Sequence, residues 1–163
     1  MSAMARLPRA QQAGSGPIDD LEARLIATVP QVMRHLVAHA RRRPAWRSLT
    51  YQQYNVLRII RSEGPVAPGQ IARRLLVSAP VVTRLAGGLV DAGLVERNQD
   101  ARDRRGVSLV LSPRGRRKVA AMRRDLLAAA AELIQPLPDE RRAAVAAALD
   151  ELEVLLPGRG PTR

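Results

Sequence analysis

Within residues 67–114 the apolar positions change from helical spacing to alternation, and few folds accommodate that change in so short a stretch. Pro68 suits the first position of a helix in which Ile71, Ala72 and Leu75 point inward while Arg73 and Arg74 stay near the surface. A short turn through Val77 then redirects the chain. Ser78 stands as N-cap of a second helix, its hydroxyl expected to accept a backbone N–H of the first turn. Pro80 is tolerated near that start, and Gly93 can take the left-handed conformation that ends the helix. Val82, Leu85, Ala86 and Leu89 fall on one side and should pack inward. At roughly 100° per residue, Pro80, Thr83, Arg84 and Gly87 share the opposite side, which is left to face a partner.

Past Gly93 the period becomes that of a strand. Residues 94–97 are one strand candidate, and in the next Val107, Leu109 and Leu111 alternate with Ser108 and Val110. Between them, residues 98–106 read NQDARDRRG, a charged tip with almost nothing to bury. A solvated turn would suffice to explain it. Yet Arg102, Arg104 and Arg105 project beside a helix whose outer face also carries arginine, and cations on a narrow β projection suit the focused negative potential of a minor groove. Helix, turn, helix and two-stranded wing together predict a winged helix-turn-helix that binds double-stranded DNA.

Charge agrees with that partner. The 163 residues carry 27 basic and 15 acidic side chains, a formal net charge of +12, and neutralising phosphates with such cations releases condensed counterions. A compositional bias toward arginine and alanine is the competing explanation, weakened by the clustering around the winged unit. With no phenylalanine, one tryptophan and two tyrosines, the core must be built from Leu, Val, Ile and Ala. The absence of cysteine excludes disulfides, thiolate metal sites and thiol-based oxidant sensing. Charges interrupt every apolar run before a membrane-spanning length, and the amino terminus lacks the apolar centre of a secretory signal, so a cytoplasmic location without membrane attachment is expected.

Flanking segments read as helices. Ile18, Leu21, Leu25, Val32 and Leu36 make an apolar stripe over residues 18–43, with Pro30 predicting a kink. His35 and His39 stand four apart there, a spacing compatible with a metal, but without cysteine or an evident third ligand they read as ordinary polar side chains, and no metal or cofactor is expected. Arg41, Arg42 and Arg43 suit a helix C-terminus. Thr50 and Gln53 match a capping box for a helix to Ser62, with Val56, Leu57 and Ile60 inward and Gly64 and Pro65 as the stop. Ser112 and Pro113 open a further helix with a stripe of Val119, Met122, Leu126, Ala130 and Leu133. A last helix, residues 138–156, carries Val145, Leu149, Leu152 and Leu156 as its seam.

The run SAPVVTRLAGGLVDAGLVERNQDARDRRGVSLVLSPRGRR resembles the recognition helix and wing of the MarR family of bacterial transcriptional regulators, most specifically at GLVER, DARDRR and LSPRG. The resemblance implies a mainly α fold with a small β wing, in which N- and C-terminal helices form a dimerisation layer. It implies a homodimeric regulator, expected to be a repressor, whose Arg105 reaches the minor groove while Asp103 holds the wing tip. It also implies release by a small, commonly aromatic effector, for which His39, Trp46, Tyr51 and Tyr54 are the candidate crevice residues. Gly87 and Gly88 depart from the family pattern, which often has polar or charged residues at mid-helix.

The residues themselves assign Arg84 to base contact by a bidentate bond to guanine, and Thr83 and Pro80 to a thymine methyl or a phosphate, close to Ser78. Arg73, Arg74, Arg97 and Arg116 would supply phosphate attraction. Expected boundaries are a tail over 1–17, an N-terminal dimerisation helix over 18–48, the DNA-binding lobe over 49–112, C-terminal dimerisation helices over 113–156 and a tail over 157–163. A sequence-indifferent architectural DNA binder shares the charge and fold and is the alternative. An enzyme is not expected, since no nucleophile, acid partner or phosphate-cradling loop is evident.

Overall fold

The computed structural model describes residues 20–99 and 106–156 and divides into two compact units, Met1–His35 and Leu36–Arg163. The described part of the first unit is most of helix α1 (Leu21–Ala40), which is shorter at both ends than the apolar stripe suggested and retains Pro30 inside it. Its apolar side chains Leu21, Leu25, Ile26, Val29 and Val32 are exposed.

The second unit continues through a short 3-10 helix (Pro44–Trp46), α2 (Tyr51–Glu63), α3 (Pro68–Leu75), α4 (Ala79–Asp91), strands β1 (Val95–Gln99) and β2 (Val107–Leu111), α5 (Pro113–Ile134) and α6 (Asp139–Leu155). Helix α2 begins where the capping box places it: Gln53 donates its backbone N–H to Thr50 Oγ1 at 3.2 Å, and Thr50 donates its own to Gln53 Oε1 at 2.9 Å. It ends at Gly64, whose φ of 78° favours glycine. Val56, Leu57 and Ile60 are buried as expected, joined by Tyr54 and Ile59, so the middle of α2 runs through the core. Around it pack Ile71 of α3, Val82 and Leu89 of α4, Leu109 of β2, and Val119 and Met122 of α5.

The wing is an antiparallel pair in which Val95 faces Leu111 and Gln99 faces Val107. Val66, in the connection between α2 and α3, exchanges both backbone hydrogen bonds with Leu109, at 3.1 and 2.9 Å, which ties the root of the wing to the helices. Strict alternation fails along β2. Val107 is 45% exposed and Ser108 only 5%, because Val107 lies at the outer end of the ladder beyond the helical core, while Ser108 donates a long hydrogen bond of 3.4 Å to the carbonyl of Asn98. β1 likewise starts one residue later than expected and extends to Gln99.

On α5 the buried alanine is Ala129, with Ala130 half-buried and Leu133 exposed. Along α6 no residue is buried, and Val145, Leu149 and Leu156 of the expected seam are exposed. The spacing marks an apolar face, and that face is left uncovered by the described residues.

Candidate nucleic-acid interface

Helix α4 is held from three sides. Val82, Ala86 and Leu89 are buried on its inner face with Leu85 half-buried, leaving Pro80, Thr83 and Arg84 exposed along its outer face. Among the described residues no carboxylate pairs with Arg84, so its guanidinium keeps all five donors for a partner. Thr83 is different. Its hydroxyl donates to the Ala79 carbonyl at 3.1 Å, so the only hydroxyl proton is committed within the helix, and what Thr83 turns outward is a methyl group and oxygen lone pairs. Such a side chain suits a thymine methyl better than a phosphate, which requires a donor.

Ser78 occupies the N-cap position, but its side chain makes no capping hydrogen bond, contrary to the expectation. The reason lies in the following residues. An N-cap oxygen serves the N–H of the second or third helical residue; the second is Pro80, which has none, and the third, Val81, donates to the carbonyl of Ser78 itself at 3.1 Å. The Ser78 hydroxyl is therefore available at the exposed amino end of α4.

The carboxyl end is locked. Gly93 adopts φ 66°, and Leu94 donates back to the carbonyl of Leu89 at 2.9 Å, closing the helix in a Schellman turn. The orphan carbonyl of Gly93 accepts a bond from Ser112 Oγ at 2.8 Å, and that oxygen in turn accepts the N–H of Gly115 at 2.9 Å, capping α5. Ser112 N–H donates to the Leu94 carbonyl at 3.1 Å. One serine thus fastens the end of the outward-facing helix to the start of α5. Gly115 makes the approach feasible: a Cβ there would overlap the Leu94 carbonyl oxygen and lie 2.9 Å from its carbon. From the sequence Ser112 reads only as a cap; the second bond to Gly93 and the need for glycine at 115 come from the fold, although the spacing S-P-x-G carries their signal.

The two mid-helix glycines have different surroundings. At Gly87 a Cβ would meet nothing within 4 Å, whereas at Gly88 it would sit 3.4 Å from the Gln53 side chain that completes the α2 capping box.

Of the four arginines assigned to phosphates, Arg73 and Arg97 are exposed without an ion-pair partner among the described residues. Arg74 is paired, its Nε 3.2 Å from Glu63 Oε1 at the end of α2. Arg116 donates from Nη1 to the carbonyl of Leu111 at 2.8 Å, bracing the end of β2 against α5. Arg102, Asp103, Arg104 and Arg105 lie outside the described residues.

The expected effector residues separate by burial. Trp46 is 2% exposed and donates from Nε1 to the Met122 carbonyl at 3.2 Å; its ring centroid is 5.3 Å from that of Tyr54 and 6.5 Å from that of Tyr51. Burial pushes the Tyr54 phenol above its usual range, offset in part by Arg58, Arg123 and Arg61, so it stays neutral at physiological pH. This cluster joins α2 to α5 through the core, and His39 lies half-buried on the last turn of α1. An open depression of about 300 Å³ is found elsewhere, lined by Ala131, Glu132, Ile134, Gln135 and Arg142, and none of the four candidates borders it. Among the described residues no group of three His, Asp or Glu side chains could hold a metal, and no helix is long and apolar enough to cross a membrane.

Residues 48–106, from the amino side of α2 to the wing, match the model of the MarR family. An uncharacterized HTH-type transcriptional regulator of Mycobacterium leprae is 30% identical over 139 residues, which span 74% of this chain and 97% of that protein. The chain belongs to the MarR family. An HTH-type transcriptional regulator of Mycobacterium tuberculosis matches with the same identity and coverage. Among solved structures, wild-type MarR of E. coli in its apo form superposes with a TM-score of 0.69 at 26% identity, covering 80% of this chain and 95% of that one. The fold extends to a second M. tuberculosis protein, Rv1404, with a TM-score of 0.71 at 19% identity over 91% of this chain and all of that one. As a MarR-family member the chain is a DNA-binding transcriptional regulator and not an enzyme. The mainly helical fold with its two-stranded wing is the one the sequence predicted.

Proposed function

We propose that this regulator is a homodimeric repressor that binds a pseudo-palindromic operator, with α4 of each subunit in the major groove. The observation that carries the reading is the outer face of α4, where Arg84 and Thr83 stand exposed on a helix whose inner face is buried and whose carboxyl end is fastened to α5. Pro80 and Ser78 complete its amino end, Arg73 and Arg97 add phosphate attraction, and Arg105 with its neighbours Arg102, Asp103 and Arg104 forms the minor-groove element. Two-fold assembly is supported by apolar side chains that one chain leaves in water: Ile26 and Val29 on α1, and Leu149, Val154 and Leu155 on α6.

Sedimentation and footprinting across a salt series test this together. The expected result is a dimer that protects two half-sites roughly 34–36 Å apart, with affinity falling steeply as salt rises. A stable monomer, or uniform protection of any duplex, would instead favour a sequence-indifferent architectural protein.

A small aromatic effector is the accompanying proposal, acting at the edge of the Trp46, Tyr51 and Tyr54 cluster, with His39 as a further candidate contact. That cluster bridges the support of the reading pair to α5, so a ligand that prefers one arrangement of the two would change the spacing of the reading heads. A panel of aromatic acids should include at least one that raises the melting temperature and lowers operator affinity together. If no compound does both, the regulator is constitutive.

A further inference from the structure

Leu76 is placed where neither backbone nor burial favours leucine. It ends α3 at φ 54° and ψ 42°, in the left-handed region that glycine enters freely and a side chain with a Cβ enters at a cost. It is also 92% exposed, more than any other large apolar residue described. The turn does not need its side chain: the backbone N–H of Leu76 bonds to carbonyls of the last turn of α3, and Val77 donates to the Ala72 carbonyl at 3.1 Å. Local structure would be served better by glycine and solvation by a polar residue, so this outlier points to a function for the side chain.

Its surroundings indicate which function. Leu76 precedes the N-cap of α4 by two residues, and Val77, Ala79 and Pro80 are exposed beside it, forming an apolar lip at the amino end of the outward-facing helix. Exposed cations stand on both flanking helices, Arg73 on the last turn of α3 and Arg84 on α4. A partner matched to this edge is anionic at its rim and apolar at a point within. In the major groove, phosphates form the rim and the C5-methyl group of thymine is the apolar feature.

We propose that Leu76 is a specificity residue that packs against a thymine methyl group in each half-site. The proposal rests on the operator-binding reading above, and it adds a base preference that no hydrogen bond supplies.

The test replaces each thymine of the footprinted operator in turn with uracil, which removes only the methyl group, and compares the full-length parent with Leu76→Gly and Leu76→Met. Glycine suits the left-handed backbone, so Leu76→Gly should melt at or above the parent temperature. The parent should lose about fourfold in affinity at one position of a half-site, the worth of one buried methyl, and about fifteenfold when both half-sites are changed. Leu76→Gly should bind the thymine operator as weakly as the parent binds the uracil one and be indifferent to that replacement, while Leu76→Met retains the response. The proposal is overturned if no uracil weakens the parent, or if Leu76→Gly responds to every uracil as the parent does. A uniform loss on all DNA, or a loss of dimer without a change in base preference, also overturns it by assigning Leu76 to the DNA backbone or to a protein contact. If the parent distinguishes no operator from random duplex, the operator-binding reading itself has failed, which the parent titration alone reveals.

Discussion

Gly115→Ala should destabilise the protein by at least about 2 kcal/mol, although alanine is the better helix former. The added methyl group would overlap the backbone carbonyl oxygen of Leu94 and sit 3.3 Å from its Cα, and neither chain segment can rotate away as a side chain would. Helix propensity favours alanine by up to about 1 kcal/mol, while overpacking costs roughly 1–3 kcal/mol and occasionally more; an overlap with backbone that no rotamer can relieve belongs at the top of that range or above it, so the clash wins by about 2 kcal/mol or more. For a chain of this size the melting temperature should fall by roughly 4–8 °C. Operator affinity should fall with it, because separating α5 from Leu94 strains the bonds from Ser112 Oγ to Gly93 and from Gly115 to Ser112 Oγ, which hold the end of α4. Gly87→Ala is the matched control: its Cβ meets nothing within 4 Å, so the same substitution should stabilise by about 0.5–1 kcal/mol. Equal thermal shifts in the two variants would show that the approach of α5 to Leu94 is looser than described.

That contrast between two glycines also shows where sequence reasoning stops. Features closed by neighbouring residues were legible: the Thr50–Gln53 box, the left-handed Gly93 and the Ser112 cap each involve groups within a few positions along the chain. The face of α4 was legible too, because Val82, Ala86 and Leu89 repeat at helical spacing and are buried accordingly. Gly115 was not, since its requirement comes from a carbonyl brought in by the fold. Ser78 does not cap because Pro80 removes one of the two N–H groups a cap would serve and the other, on Val81, donates to the Ser78 carbonyl instead. Val107 was misread because alternation shows which side a residue faces but not whether a core lies beneath it, and this one sits at the outer end of the ladder. Trp46 reads from the sequence as a candidate crevice residue, yet in a chain without phenylalanine it supplies the large ring that fills the space between α2 and α5. Leu76 carries no signal in the sequence, because its anomaly is a backbone angle.

Arg84→Ala should weaken operator binding by about 1–3 kcal/mol in each half-site and flatten the preference at one base pair. Three side chains compete for that role on the outer face of α4, and their chemistry separates them. Pro80 has no donor, and Thr83 has already given its proton to the Ala79 carbonyl. Arg84 alone offers a planar fork able to bond both acceptors of a guanine edge, and it is held by no carboxylate among the described residues. Arg84→Lys keeps the charge but not the fork, so it should recover part of the affinity on every duplex and little of the preference. The proper comparison is Arg73→Ala rather than Arg116→Ala. Arg116 is bonded to the Leu111 carbonyl, so its loss would disturb the wing root as well as the charge, whereas Arg73 is exposed on the last turn of α3. Arg73→Ala should lower affinity for operator and random DNA alike and reduce the salt slope by about one per lost phosphate contact. Titrations of operator and competitor duplexes at several salt concentrations separate these outcomes. Were Arg84→Ala to bind both duplexes as the parent does, the outer face of α4 could not be the surface that reads bases, and the base contacts would have to be sought at the wing.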